Sequence, residues 1–169
     1  MLRYQSYDIV FQEIPGEVSL ALTISNCPNR CKDCHSPHLW ADSGEVLDEK
    51  ALSGLLKKYG NAVTCVCFMG GDASPNEVER LAMYLREHTG NRLKIGWYSG
   101  KTNFPDTCSL FHFDYLKLGP YIRDLGGLDA PDTNQRFYRI ENGEMKDETY
   151  RFRKEERMIE RKNLQFSSI

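Results

Sequence analysis

The run Ala62-Val63-Thr64-Cys65-Val66-Cys67-Phe68-Met69 constrains the fold most: it is almost continuously apolar and lies between Gly60 and Gly70-Gly71. A strand with one wet face alternates apolar and polar residues, whereas a parallel strand covered on both faces reads as an unbroken apolar run. The stretch therefore predicts a buried parallel strand, and parallel neighbours require crossover connections. Helical patterns on either side supply them. A helix is expected from about Leu47 to Tyr59, with Ala51, Leu52, Leu55, Leu56 and Tyr59 on one face and Gly60 as its C-terminal cap. After Gly70-Gly71-Asp72-Ala73, a second helix is expected to start with Ser74 as N-cap, Pro75 at the first helical position and Glu77 completing a capping box. Its apolar stripe is Val78, Leu81, Ala82 and Leu85.

Val18–Ile24, Leu93–Ser99 and Phe113–Leu118 read as further strands, and Ile9–Glu17, with Pro15-Gly16, as a short hairpin. Asn142-Gly143 between Phe137–Ile140 and Glu144–Phe152 is the strongest hairpin signal in the chain. Alternating strands and helices argue for a β/α array around a parallel sheet. A complete eight-unit barrel takes about 250 residues, so 169 residues supply about half of one. The expected fold class is thus α/β: an open, partial β/α barrel with a mainly parallel sheet and ligands at the carboxyl ends of its strands. Residues 1–152 are expected to form this domain and 153–169 a charged C-terminal tail.

Met1–Asp8 carries no apolar core of a secretory signal, and no apolar run approaches the length of a membrane span. The expectation is a cytoplasmic protein without a membrane partner. A formal net charge of −2 gives no bulk electrostatic reason for a nucleic-acid partner. Cysteines in the cytosol stay reduced, so clustered ones are better read as metal ligands than as disulfides. Three of the six occur as Cys27-Pro28-Asn29-Arg30-Cys31-Lys32-Asp33-Cys34, directly after a predicted strand. Three thiolates on one loop suit three irons of a [4Fe–4S] cubane and leave the fourth iron without a protein ligand. A structural zinc site with His35 as fourth ligand is the alternative. Zinc loops more often pair two-residue gaps with a distant second pair, and His35, adjacent to Cys34, is poorly placed to complete a tetrahedron. A cluster that only transfers electrons is a third reading. Cys65 and Cys67 share one face of the buried strand and read as packing, while Cys108 stands alone in a loop.

The order of these motifs resembles the radical S-adenosylmethionine superfamily, whose signature is this three-then-two cysteine spacing. Cys34-His35-Ser36-Pro37 with Trp40 resembles the segment after the cluster in activases of glycyl-radical enzymes, and Gly70-Gly71-Asp72 stands where the superfamily has Gly-Gly-Glu. With Glu13–Glu17, Gly119-Pro120-Tyr121 and Asn134-Gln135-Arg136, the sequence is most similar to activases that serve anaerobic ribonucleoside-triphosphate reductases, over about Gln5 to Ile140. The resemblance implies a partial barrel of the radical S-adenosylmethionine type. It also implies a [4Fe–4S] cluster whose open iron is chelated by S-adenosylmethionine, and reductive cleavage of that ligand to a 5′-deoxyadenosyl radical. The radical's target would be a glycine near the C-terminus of the reductase large subunit. Another glycyl-radical enzyme or a small-molecule substrate is the alternative within the class. The electron donor would be external, of flavodoxin or ferredoxin type.

Residue by residue, the resemblance assigns the cluster to Cys27, Cys31 and Cys34 and the ligand's ammonium to Gly70, Gly71 and Asp72. Asp72 is one methylene shorter than the usual Glu, so backbone carbonyls are the alternative partner for the ammonium. Asp33 stands where an aromatic residue often meets adenine, and Ser99 where the strand end faces the cofactor, an ordinary turn at Ser99-Gly100 being the other reading. Lys117 on the Phe113–Leu118 strand, if turned inward, needs an anionic or hydroxyl partner such as the ligand carboxylate or ribose; a salt bridge at the strand edge, as for Asp114, is the other reading. Arg136 would pair with the ligand carboxylate or with the partner protein. His35 and His38 are expected as structural donors around the loop.

Overall fold

The computed structural model describes residues 1–153. The charged tail expected from residue 153 lies, beyond Arg153 itself, outside the described residues. The chain forms β1 (Leu2–Val10), β2 (Ser19–Ile24), β3 (Glu45–Leu47), α1 (Glu49–Tyr59), β4 (Cys65–Met69), α2 (Pro75–Thr89), β5 (Lys94–Tyr98), β6 (Tyr115–Leu118), β7 (Arg136–Glu141) and β8 (Glu144–Asp147). All the strands join one eight-stranded sheet in the order β3-β1-β2-β4-β5-β6-β7-β8.

This corrects the expected fold class. The pairs β2·β4, β4·β5 and β5·β6 are parallel, but the other four are antiparallel, so the sheet is mixed. With only two α-helices among the described residues, the molecule is a small, mostly-sheet fold and not a helix-rich partial β/α barrel. The physical reason lies in the connections. Between β5 and β6 the chain makes only a 3-10 turn at Leu110–His112, with no crossover α-helix. The outer strands β1, β7 and β8 join antiparallel, which needs no helical crossover.

Strand and helix faces follow the apolar pattern. On one side of the sheet Leu20, Leu22, Ile24, Val66, Phe68, Ile95, Trp97 and Leu116 pack with Leu52 and Leu55 of α1 and Val78, Leu81, Ala82 and Leu85 of α2. Burying each such aliphatic side chain contributes about 1.5–3 kcal/mol before conformational entropy is subtracted. On the other side Cys65, Cys67, Tyr115 and Phe137 pack under Ile14 and Phe152. The central strand β4 is thus buried on both faces, as its unbroken apolar run requires.

Helix boundaries shift by one or two residues from expectation. Asp48 is the N-cap of α1, accepting from the Ala51 amide at 2.8 Å. Gly60 caps α1 in right-handed conformation, its N–H bonded to the Leu56 carbonyl. Ser74 does occupy the N-cap of α2, but its side chain makes no capping bond. Glu77 turns to Arg80 at 3.3 Å instead, so the capping box does not form. Asn142 and Gly143 both take positive φ, 54° and 78°, in the β7–β8 hairpin; that is the conformation a two-residue primed turn demands. The segment expected to be a short hairpin is instead the end of the nine-residue β1 and the loop leading to β2. Among the described residues, no helix is long and apolar enough to cross a membrane.

Candidate functional site

Because β2, β4, β5 and β6 are mutually parallel, their carboxyl ends share one edge of the sheet. The segments beyond those ends are the cysteine loop, Gly70-Gly71-Asp72, Ser99-Gly100 and Gly119-Pro120. Antiparallel β7 begins at the same edge, since Leu118 pairs with Arg136, and this brings Asn134-Gln135 there too.

The cysteine loop is anchored at its root. Buried Ser25 donates its hydroxyl to the Ser43 carbonyl at 2.6 Å, and the amides of Asn26 and Cys27 donate to the carbonyls of Ala41 and Leu39. Asn26 and Arg30 take left-handed φ of 59° and 44°. Asn tolerates that conformation well; for Arg it costs about 1–2 kcal/mol, and backbone strain of this kind concentrates at functional sites. Within the loop the Cys34 amide donates to the Cys31 carbonyl at 3.1 Å, and the Ser36 amide donates to the Cys34 sulfur at 3.3 Å. All three loop cysteines are half-exposed free thiols. No three His, Cys, Asp or Glu side chains among the described residues converge as a group that would hold a single metal ion. A cubane makes a different demand, because each thiolate binds its own iron.

Asp72 joins three of these segments. Its Oδ2 accepts from Asn29 Nδ2 at 2.5 Å, inside the cysteine loop, and from the Gly100 amide at 2.8 Å, beyond β5. Its Oδ1 is buried with no hydrogen-bond partner. Lys117 is close enough for Asp72 and Cys31 to influence its charge. Burial pushes its ammonium down to about 8, against the opposing pull of Asp72 and Cys31. Its Nζ donates to the Gly119 carbonyl at 2.7 Å. Asn134 holds the Pro120 carbonyl at 2.9 Å and leaves its own Oδ1 buried and unpartnered.

The glycine turn differs in one respect from its sequence reading. Gly70 and Gly71 do require positive φ, 112° and 97°. Yet a Cβ on Gly70 would meet the Ile24 carbonyl at 3.1 Å, and one on Gly71 would meet Val78 Cγ2 at 2.5 Å. The space a side chain would occupy is filled by the protein, so packing accounts for both glycines without a ligand.

The remaining expected residues divide. Asp33 pairs with Arg123 at 3.1 Å, and His35 packs on Tyr121 with ring centroids 4.5 Å apart, so the segment after Gly119 leans on the cysteine loop. Ser99 is buried, its Oγ accepting from the Lys101 amide at 3.0 Å, which is a turn role. Arg136 is exposed; its guanidinium donates to the carbonyls of Thr133 and Gln135 and reaches Asp147 at 3.7 Å, away from Asp72. Asp114 is structural, bound to Arg86 at 2.5 Å and the Ile95 amide at 2.8 Å. Cys65 and Cys67 are fully buried.

Nothing in the sequence marks Asn29 and Gly100 as hydrogen-bond donors to Asp72. Their contacts span 43 and 28 residues, and no periodicity reports such pairs. Two cavities flank the edge. One, of about 540 Å³, lies between Asp72, Trp97 and the Lys101–Asp106 loop. The other, of about 450 Å³, lies on the opposite face among Gln12, Glu13, Tyr98, Lys117 and Gln135.

A family model described as a 4Fe-4S single cluster domain matches residues 15–109, a stretch that includes the cysteine loop, the glycine turn and Gly100. No curated protein and no solved structure gave a match.

Proposed function

We propose that this chain, which belongs to the 4Fe-4S single cluster domain family, is an activase that uses S-adenosylmethionine to generate a glycyl radical on another protein, the large subunit of an anaerobic ribonucleoside-triphosphate reductase. One observation carries the reading. On the same edge as the three-cysteine loop, Asp72 presents a buried carboxylate oxygen with no donor. A buried acceptor left unpaired costs about 1–3 kcal/mol, more when charged, and the ammonium of an amino-acid ligand carries three donors.

When bound, the cluster would supply the one-electron reduction needed to cleave S-adenosylmethionine. The chain's own residues hold and orient. Cys27, Cys31 and Cys34 are the thiolate ligands, and the Ser36 amide donates to the Cys34 sulfur, a contact of the kind that tunes cluster potential. Asp72 Oδ1 would accept from the ligand ammonium. Lys117, with N–H groups left after its bond to Gly119 and near enough to Asp72 and Cys31 to feel their charge, would be the cation for the ligand carboxylate. The resemblance of Gly119-Pro120-Tyr121 and Asn134-Gln135-Arg136 to the activase motifs supports a protein substrate, and a glycine Cα–H is sterically open to abstraction. The electron comes from a flavodoxin or ferredoxin-type donor.

The test is anaerobic reconstitution with iron and sulfide, followed by reduction with S-adenosylmethionine and the reductase subunit. The expected result is 5′-deoxyadenosine together with a glycyl-radical signal by electron paramagnetic resonance. A cluster whose spectrum ignores S-adenosylmethionine would mean electron transfer alone, and a colourless protein holding one zinc would mean a structural module. Formation of 5′-deoxyadenosine without a radical on the reductase would move the substrate to another protein or a small molecule.

A further inference from the structure

We infer that Asn29 is a positioning residue: it locks the cysteine loop to the Gly70-Gly71-Asp72 turn through Asp72 Oδ2 and so leaves Oδ1 as the oxygen that meets the ligand ammonium. The inference rests on the function proposed above and concerns a residue that is neither a cysteine ligand nor part of the glycine turn.

Asn29 lies in the three-residue gap between Cys27 and Cys31, next to the left-handed Arg30. Its Nδ2 and the Gly100 amide share Asp72 Oδ2, so loops following three different strands meet on one atom. Hydrogen bonds to an ionised carboxylate are about twice as strong as neutral ones. Two donors on one oxygen fix the rotation of the carboxylate, and the second oxygen can then point in only one direction. The junction is also tight. A Cβ on Gly100 would run into the Asn29 side-chain amide and lie 3.4 Å from Asp72 Oδ2. Any displacement of Asn29 therefore moves the acid and the strand end, as well as the loop that carries Cys27 and Cys31. An Asp at position 29 would keep the shape but remove the donor and set two carboxylates face to face.

The experiment compares wild type with Asn29→Ala and Asn29→Asp in two measurements. In the full chain before cluster loading, amide hydrogen exchange reads the protection of Gly100. In the reconstituted, reduced protein, iron content is measured first, then S-adenosylmethionine affinity from its perturbation of the cluster's electron paramagnetic resonance signal. Both variants are expected to hold wild-type iron, to lose protection at Gly100, and to bind S-adenosylmethionine roughly 10–100-fold more weakly, the range typical of residues that orient a ligand set. Asn29→Asp is expected to be at least as impaired as Asn29→Ala. Wild-type affinity and Gly100 protection in either variant overturn the positioning role. Iron lost in proportion to affinity overturns it too, since Asn29 would then serve loop folding alone. If the wild type shows no response to S-adenosylmethionine, the proposed function and the ammonium contact fail together, while Gly100 protection still decides whether Asn29 holds Asp72.

Discussion

Cys31 and Cys67 are the same residue in two different situations. Cys31 lies on a half-exposed loop beyond the end of β2, near the ammonium of Lys117. Cys67 is buried in β4 next to Cys65, and desolvation pushes its thiol well above the ordinary range. A thiolate is the form that binds iron or reacts, and burial in apolar surroundings suppresses it. The neighbouring loop thiol of Cys34 receives a backbone N–H, whereas the strand thiols pack against Ile14, Tyr115 and Phe137. Sequence position assigns each cysteine to a strand or a loop. Environment then decides whether it acts as a ligand or as a small hydrophobe.

Four measurements would break or sharpen this contrast. The largest effect is expected from replacing Cys27, Cys31 or Cys34 by Ala, which should abolish cluster assembly on anaerobic reconstitution, read as iron content and visible absorption. Cys65→Ala or Cys67→Ala should leave both intact, and a strand cysteine found essential for assembly would remove the distinction. Next, alkylation of the native, cluster-free chain at pH 8 should modify Cys27, Cys31, Cys34 and Cys108 at least ~100-fold faster than Cys65 and Cys67. The latter pair must await opening of the core, and site-resolved mass spectrometry reads the rates.

The third effect is pH dependence. A thiol whose pKa is raised on folding contributes stability that is whole below its unfolded value, about 8.5, and is lost as pH rises toward the folded value. Both strand thiols are raised, and burial raises Tyr98 and Tyr115 in the same way. Lys117, lowered to about 8, acts in the opposite sense between that value and its unfolded one. The raised groups outnumber it. Urea unfolding should therefore show stability falling above about pH 9, and Cys67→Ala should flatten the slope by up to about 1.4 kcal/mol per pH unit. The smallest effect is the neutral-pH cost of Cys67→Ala, about 1 kcal/mol, read as a lower midpoint in the same titration.

Much of this contrast was legible in the chain. The apolar run places Cys65 and Cys67 in a covered strand, and the clustered spacing after a strand places Cys27, Cys31 and Cys34 together on one half-exposed loop. The mixed sheet was not legible. β1 reads Leu-Arg-Tyr-Gln-Ser-Tyr-Asp-Ile-Val, with several exposed or half-buried residues, and so lacks the apolar density of β4. β3 is only three residues long, and neither its pairing with β1 nor that of β1 with β2 leaves a local periodic mark. At the site, Asp72 was visible as part of a turn, but the Asn29 amide that holds it was not. A contact across 43 residues is made by sheet order, not by spacing. Nor does the sequence show how Arg136 is turned: its backbone begins at the site edge, but its guanidinium bonds the Thr133 and Gln135 carbonyls and stays exposed, which leaves the partner-facing reading open.

The pairing of Leu118 with Arg136 also orders events during synthesis. The cysteine loop leaves the ribosome early, but the edge it occupies is finished only when more than a hundred further residues have been made and β7 has paired. The nascent chain thus carries the loop thiols before the sheet edge that also holds Asp72, Lys117 and Asn134 is complete.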